Sequence, residues 1–228
     1  MSAEQEIAAG LEGVRARIAG ATARAGRAAG SVQLLAVSKS KPADAIRAAY
    51  AAGQRDFGEN YVQELAQKRA ELADLPEVRW HFIGGLQRNK ARQMAGVALV
   101  HSVDRVELAT ELAKRMEAEA QKLELLVEVN VAGEAQKSGC APGDLPRVLE
   151  AIAASSALAA HGLMTVPPAV DDAAEARRFF AELRALRDRH ASALGRGELS
   201  MGMSHDFEVA IAEGATLVRV GTAIFGAR

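Results

Sequence analysis

Leu34-Leu35-Ala36-Val37-Ser38-Lys39-Ser40-Lys41-Pro42 is the stretch whose reading decides the fold. Its first four residues are an apolar run with none of the polar interleaving of a half-exposed strand, so they predict a strand buried on both faces. Pro42 fits a first helical position, a helical pattern covers 43–52, and Gly53 fits the residue just past a helix end. A buried strand with a returning helix is one βα unit. Outward from it, further apolar runs lie at 55–57, 80–83, 98–101, 123–129, 161–164, 199–201 and 217–220. Between them lie helical stretches at 61–72, 86–94, 105–120, 145–154, 173–190 and 205–213, and an additional helix is expected over 3–25. Eight strands, each followed by a helix, predict an α/β fold that closes as a single TIM-type (βα)8 barrel, with an open doubly wound sheet as the competitor. Gly214 fits a residue past a helix end and Ser204 fits an N-cap.

The 228 residues suffice for one closed domain with a full core, and no linker or charge block divides them, so residues 1–228 are expected to form a single domain. Aromatics are only 4% of the chain, so packing must rest on Ala, Leu, Val and Ile. A net charge of -1 provides no general field for nucleic acid or an anionic membrane, so any anion site must be local. Arg177, Arg178, Arg184, Arg187 and Arg189 are interleaved with Glu175, Glu182 and Asp188, which reads as a solvated helix face. The lone Cys140 has no metal-ligand spacing around it and points to a reducing compartment. Glu4, Glu6 and Glu12 at the N-terminus argue against a leader or a spanning helix, and the expected location is cytoplasmic.

In such a barrel, ligands meet the loops at the C-terminal ends of the strands. Lys39 closes the first strand. Partial burial there would favour its neutral amine, which can attack an aldehyde, although a strand-end lysine is also commonly a solvated surface residue. Ser204 lies in the run 200–204 ahead of Asp206-Phe207-Glu208, where its hydroxyl can serve an anion or cap the helix. In the run 219–226, Gly221 lets backbone approach an oxyanion, Thr222 offers a hydroxyl and an amide, and Arg219 brings a fixed cation that can instead pair with a barrel carboxylate. Phosphate sites in barrels favour the loops after strands seven and eight, where both runs fall.

Together with 36–39, 57–64, 80–84, Leu86-Gln87, Asn89-Lys90, 137–139 and 162–164, these runs closely resemble the pyridoxal phosphate homeostasis protein family, also called the proline synthetase co-transcribed family. The resemblance covers nearly the whole chain. It implies a barrel similar to the N-terminal domain of alanine racemase, with pyridoxal 5′-phosphate held as an imine on Lys39. It also implies that Ser204, Gly221 and Thr222 hold the phosphate, that Arg219 faces the pyridine nitrogen, and that Asn60 and Met164 line the pocket. A cation beside that nitrogen disfavours its protonation and weakens the ring as an electron sink. The expected role is therefore binding rather than turnover: storing, buffering or delivering the cofactor in vitamin B6 homeostasis, as a monomer, with apo-enzymes that use the cofactor as possible partners.

Two alternatives stand beside that reading. An amino-acid racemase would need the β domain that completes such sites, and the chain ends at Arg228, directly after the last barrel motif. An imine-forming aldolase would usually carry its lysine on a later strand, and 161–164 supplies none. Gly85 stands where the family commonly has proline, which should loosen the loop after strand three, and His205 stands where a small or acidic residue is usual. His205 is expected to be exposed, and His81 to be either packed or facing the ligand from a strand end. Met201 and Met203 are expected to pack, and no metal-ligand cluster emerges from the five histidines.

Overall fold

The computed structural model describes residues 2–170 and 172–226; the C-terminal Arg228 lies outside them. The first helix, α1 (Ala3–Arg24), starts from Ser2, whose hydroxyl accepts from the Gln5 amide while the Gln5 side chain accepts from the Ser2 amide. This reciprocal cap satisfies donors that a helix start leaves free. Ile7, Leu11, Val14 and Ile18 recur at helical spacing and form its buried stripe.

Strand and helix then alternate. β1 (Gln33–Val37) leads to α2 (Ala43–Ala51), and β2 (Asp56–Glu59) leads to α3 (Val62–Glu71). β3 (Arg79–Phe82) is followed by a 3₁₀ turn, β4 (Leu99–Val103) by α4 (Val106–Ala118), and β5 (Leu123–Glu128) by α5 (Leu145–Ala153). β6 (Leu158–Met164) precedes α6 (Arg177–Arg189), β7 (Glu198–Ser200) precedes α7 (Phe207–Ala212), and β8 (Leu217–Val220) precedes α8 (Thr222–Phe225). All the strands are parallel and in sequence order, and β8 pairs with β1, setting Leu35 opposite Arg219. The barrel is closed, which rules out the open sheet.

Three local expectations need correction. Residues 86–94 do not form an α-helix: Arg88–Met94 is 3₁₀, and its two buried residues, Ala91 and Met94, are three apart, the repeat of the tighter turn. The N-cap of α7 is Asp206 rather than Ser204, and its carboxylate accepts from the Met203 amide at 2.7 Å. Pro42 is itself the cap residue of α2, one place earlier than a first helical position.

Packing divides into two layers. A continuous apolar jacket lies between strands and helices, with Phe57, Phe82, Phe180 and Phe207 among its fully buried side chains. Burying each such side chain contributes about 1.5–3 kcal/mol, so this jacket carries most of the stability. Leu99, Leu126, Met164 and Leu217, from four different strands, form a small separate cluster inside the barrel. Around this plug the interior is polar: His81, His101, Ser200 and Arg219 are all buried.

Candidate functional site

Lys39 stands two residues past the end of β1, after Ser38, and is half-buried. Its neighbours are clamped on both sides by a buried ionic cluster. The Lys68 ammonium on α3 donates to the Ser38 carbonyl at 2.6 Å, to Glu59 Oε1 at 2.7 Å and to Glu64 Oε1 at 2.6 Å. The Ser38 hydroxyl donates to Glu59 Oε1, and the Ser40 amide donates to Glu64. Ser40 has φ of 60°, a left-handed conformation that costs a serine about 1–2 kcal/mol and persists because these bonds hold it. The chain thus turns sharply just after Lys39. Burial pushes the Glu59 carboxyl up, against the bonds from Lys68 and Ser38 that favour its charge.

Two oxygens beside this cluster, Glu59 Oε2 and Asn60 Oδ1, are buried and have no hydrogen-bond partner. Buried polar atoms are seldom left so. Asn60 follows β2, the neighbour of β1, so both atoms lie close to the Lys39 turn.

The other side of the rim comes from β7 and β8. Gly202 has φ of 91°, and a Cβ on it would stand 2.6 Å from the Ala210 Cβ, so only glycine permits the turn that carries the chain to Ser204. Released from capping, the Ser204 hydroxyl accepts from the Thr222 hydroxyl at 3.1 Å. Gly221 brings this loop against β1: a Cβ there would lie 3.1 Å from the Val37 carbonyl. Lys39, Ser204, Gly221 and Thr222 therefore share one arc of the rim.

Arg219 lies inside the barrel beneath that arc. Its guanidinium donates to Ser200 Oγ at 2.7 Å and to the Thr165 carbonyl at 2.8 Å, and among the described residues it has no hydrogen-bonded carboxylate partner. Burial pushes its pKa down to about 10, with Glu128 and Asp206 opposing through space, and it stays charged at neutral pH. Glu128, at the end of β5, is pushed up to about 7 by burial and by Asp104, with Arg219 opposing. Met164 ends β6 and is buried in the inner plug.

Hydroxyls and a glycine turn suit a phosphate, a lysine suits an aldehyde and a buried guanidinium can donate to an unprotonated ring nitrogen, and two orphaned oxygens beside the lysine turn leave polar demand unmet; the residues present fit pyridoxal phosphate. A cavity of about 430 Å³ lies elsewhere, at the opposite end of the barrel under α1, lined by Arg15, Arg27, Gln33, Gln54 and Arg79. None of the rim residues borders it.

The remaining candidates take bland places. His81 is third in its four-residue strand and packed inside, Met201 is buried, and Met203 and His205 are exposed. A side chain at Gly85 would meet only Ser138 Oγ at 3.9 Å, so the fold does not require glycine there. The basic series on α6 is only partly a solvated face: Arg177 and Arg184 both pair with Glu213, a buried carboxylate at the end of α7. Burial pushes the Cys140 thiol up to about 12, which keeps it unreactive. Among the described residues, no group of His, Cys, Asp and Glu could hold a metal, and no helix is long and apolar enough to cross a membrane. Sequence reasoning missed the clamp of Glu59, Glu64 and Lys68. Its available signals were the Glu64/Lys68 spacing of four and a carboxylate ending a buried strand.

The alanine racemase N-terminal domain family matches residues 12–228. Among solved structures, that of alanine racemase from Bartonella henselae superposes with a TM-score of 0.72 over 99% of this chain and 61% of its own, at 16% identity, a likeness of fold alone. PipY of Synechococcus elongatus, in its structure with PLP bound, superposes with a TM-score of 0.84 at 42% identity, over 96% of this chain and all of its own. The pyridoxal phosphate homeostasis protein of Pseudomonas aeruginosa is 52% identical over 97% of this chain and 96% of its own length. Identity of that order over nearly the whole of both chains makes this chain a member of the pyridoxal phosphate homeostasis protein family.

Proposed function

We propose that this chain binds pyridoxal 5′-phosphate covalently through Lys39 and serves intracellular vitamin B6 homeostasis as a cytoplasmic, monomeric carrier without strong catalytic turnover, formed as one domain over residues 1–228. The observation that carries the reading is the convergence on one arc of a clamped lysine turn, two hydroxyls 3.1 Å apart and a buried arginine. A close relative's structure with PLP bound supports it.

In this reading Ser204, Thr222 and the Gly221 turn bind the phosphate, the Lys68 clamp aims Lys39, and Asn60 and Met164 line the pocket. The cofactor itself supplies an aldehyde for attachment and a ring able to accept electrons. Arg219 limits that second ability: a guanidinium that can only donate faces the ring nitrogen and disfavours a proton there. The role follows from that restraint, since retention and release need no strong electron sink. Apo-enzymes that use the cofactor are the natural recipients.

Absorbance tests the reading. Protein mixed with pyridoxal phosphate and freed of excess should be yellow, and Lys39→Ala should lose the colour. A colourless wild-type protein overturns the reading. Steady conversion of L-alanine to D-alanine, abolished in Lys39→Ala, would overturn the non-catalytic role while keeping the site.

A further inference from the structure

Inside the barrel, a line of side chains leads away from Arg219, and binding as described above uses none of it. Ser200 Oγ, which accepts from Arg219, lies 2.9 Å from His101 Nδ1. His101 Nε2 lies 3.0 Å from His81 Nδ1, and His81 Nε2 lies 3.1 Å from Asp56 Oδ1. Asp56 begins β2 at the opposite end of the barrel, where the Arg79 guanidinium donates to both of its oxygens. Ser200, His101, His81 and Asp56 are all buried, and Arg79 reaches solvent with 56% of its side chain exposed.

The two ends dictate the direction of every proton between them. A guanidinium can only donate and a carboxylate can only accept. With Arg219 donating to Ser200, the serine proton has His101 Nδ1 as its available partner, which leaves the His101 proton on Nε2, donating to His81 Nδ1. His81 then donates from Nε2 to Asp56. The reverse polarity would leave the Ser200 proton buried without an acceptor, a loss comparable to a missing hydrogen bond. Burial holds His101 well below its ordinary pKa, in keeping with a neutral ring that accepts at one nitrogen and donates at the other.

Among the described residues Arg219 has no carboxylate in hydrogen-bond contact, and Glu128 and Asp206 act on it only through space, so its hydrogen-bond partners must orient it. Each bond in the line turns its negative end toward the arginine, neighbouring bonds polarise one another, and the line ends on a carboxylate. We propose that Ser200, His101, His81 and Asp56 are positioning residues that act together as one polarised line, holding the Arg219 guanidinium fixed where it faces the cofactor's ring nitrogen. The proposal rests on the reading that Arg219 faces that nitrogen.

Long-range ¹H–¹⁵N spectra of the histidines in cofactor-free wild-type protein test the line without any variant. Near pH 7, His81 and His101 should both be neutral with the proton on Nε2, and the Nε2 protons should exchange slowly. A His101 ring carrying its proton on Nδ1, or on both nitrogens, overturns the proposal. In protein loaded with pyridoxal phosphate, His101→Phe should shift the absorption maximum and weaken retention about tenfold, the scale of one lost hydrogen bond. His101→Gln, which can still accept and donate, should restore most of both. Equal loss in the two variants would mean packing alone and would overturn the proposal, as would an unshifted maximum in a folded His101→Phe. If no cofactor attaches to wild-type protein, the cofactor reading fails, and the histidine spectra separate that failure from a failure of the line.

Discussion

The jacket and the interior of this barrel are built on opposite principles. The jacket between strands and helices is apolar and continuous, and its attraction is non-directional. The interior holds an apolar plug of four side chains and the buried Leu35 opposite Arg219, and much of the rest is hydrogen-bonded side chains around that buried cation. Barrels of this type usually fill their interior with layers of bulky branched residues. Here some of that stabilisation gives way to directional bonding around Arg219 and beneath the rim. The difference teaches that stability and site geometry are carried by different layers, so each can be damaged separately.

The largest effect should come from the clamp that joins jacket and rim. Lys68→Met leaves Glu59 and Glu64 without their buried cation and should lower stability by about 3–5 kcal/mol in urea titrations, with loss of colour in whatever remains folded. Leu112→Ala, wholly within the jacket, should cost about 2–5 kcal/mol in the same titrations yet leave cofactor retention per folded molecule unchanged. If Leu112→Ala releases cofactor, the two layers are not independent.

Ser204→Ala and Thr222→Ala invert that pattern. Each should weaken cofactor retention by about 1.5–3 kcal/mol, the loss of a hydrogen bond to a charged group, measured by equilibrium dialysis. The urea midpoint of the cofactor-free protein should barely move, because both hydroxyls lie at the open rim. Unchanged retention in both variants would remove them from the site.

The smallest effect is a pH dependence of the interior. Burial pushes the Asp56 carboxyl up, but donors on His81, Arg79 and Gln33 outweigh it and hold Asp56 below the usual carboxylate range. Its stabilisation is therefore complete above the unfolded value, about 3.9, and is lost as pH falls toward the folded value. His101, a base also held below its ordinary value, likewise stabilises above about 6.5 and loses its contribution on acidification. Glu59 and Glu128, both pushed up by burial, oppose this between about pH 7 and pH 4.3, so the Asp56 part is read as the difference between wild-type and variant curves in chemical denaturation from pH 7 to pH 3. Asp56→Asn should flatten the part below about pH 4. An Asp56→Asn curve that runs parallel to wild type below about pH 4 would contradict the Asp56 assignment.

Much of this was legible from the order of residues. Strands buried on both faces announce themselves as unbroken apolar runs, and β8 was read at its observed limits, 217–220. Residues 86–94 misled because too few apolar anchors distinguish a 3₁₀ turn from an α-helix. Ser204 looked like a cap by position, but the positive φ of Gly202 moves the helix start to Asp206, which depends on backbone geometry that no motif states. Lys39, Gly221 and Thr222 stood out because each follows a strand, and Arg219 because a cation is rare within an apolar strand. The line from Arg219 to Asp56 was invisible for a different reason: its partners are 20, 25 and up to 99 residues apart and meet only when the sheet closes.

Mass spectrometry of the protein reduced with borohydride after exposure to pyridoxal phosphate tests the central claim most directly. One modified peptide is expected, containing Lys39, with Lys41 and the other lysines unlabelled. A label confined to another lysine, or no label on wild-type protein, would contradict the account.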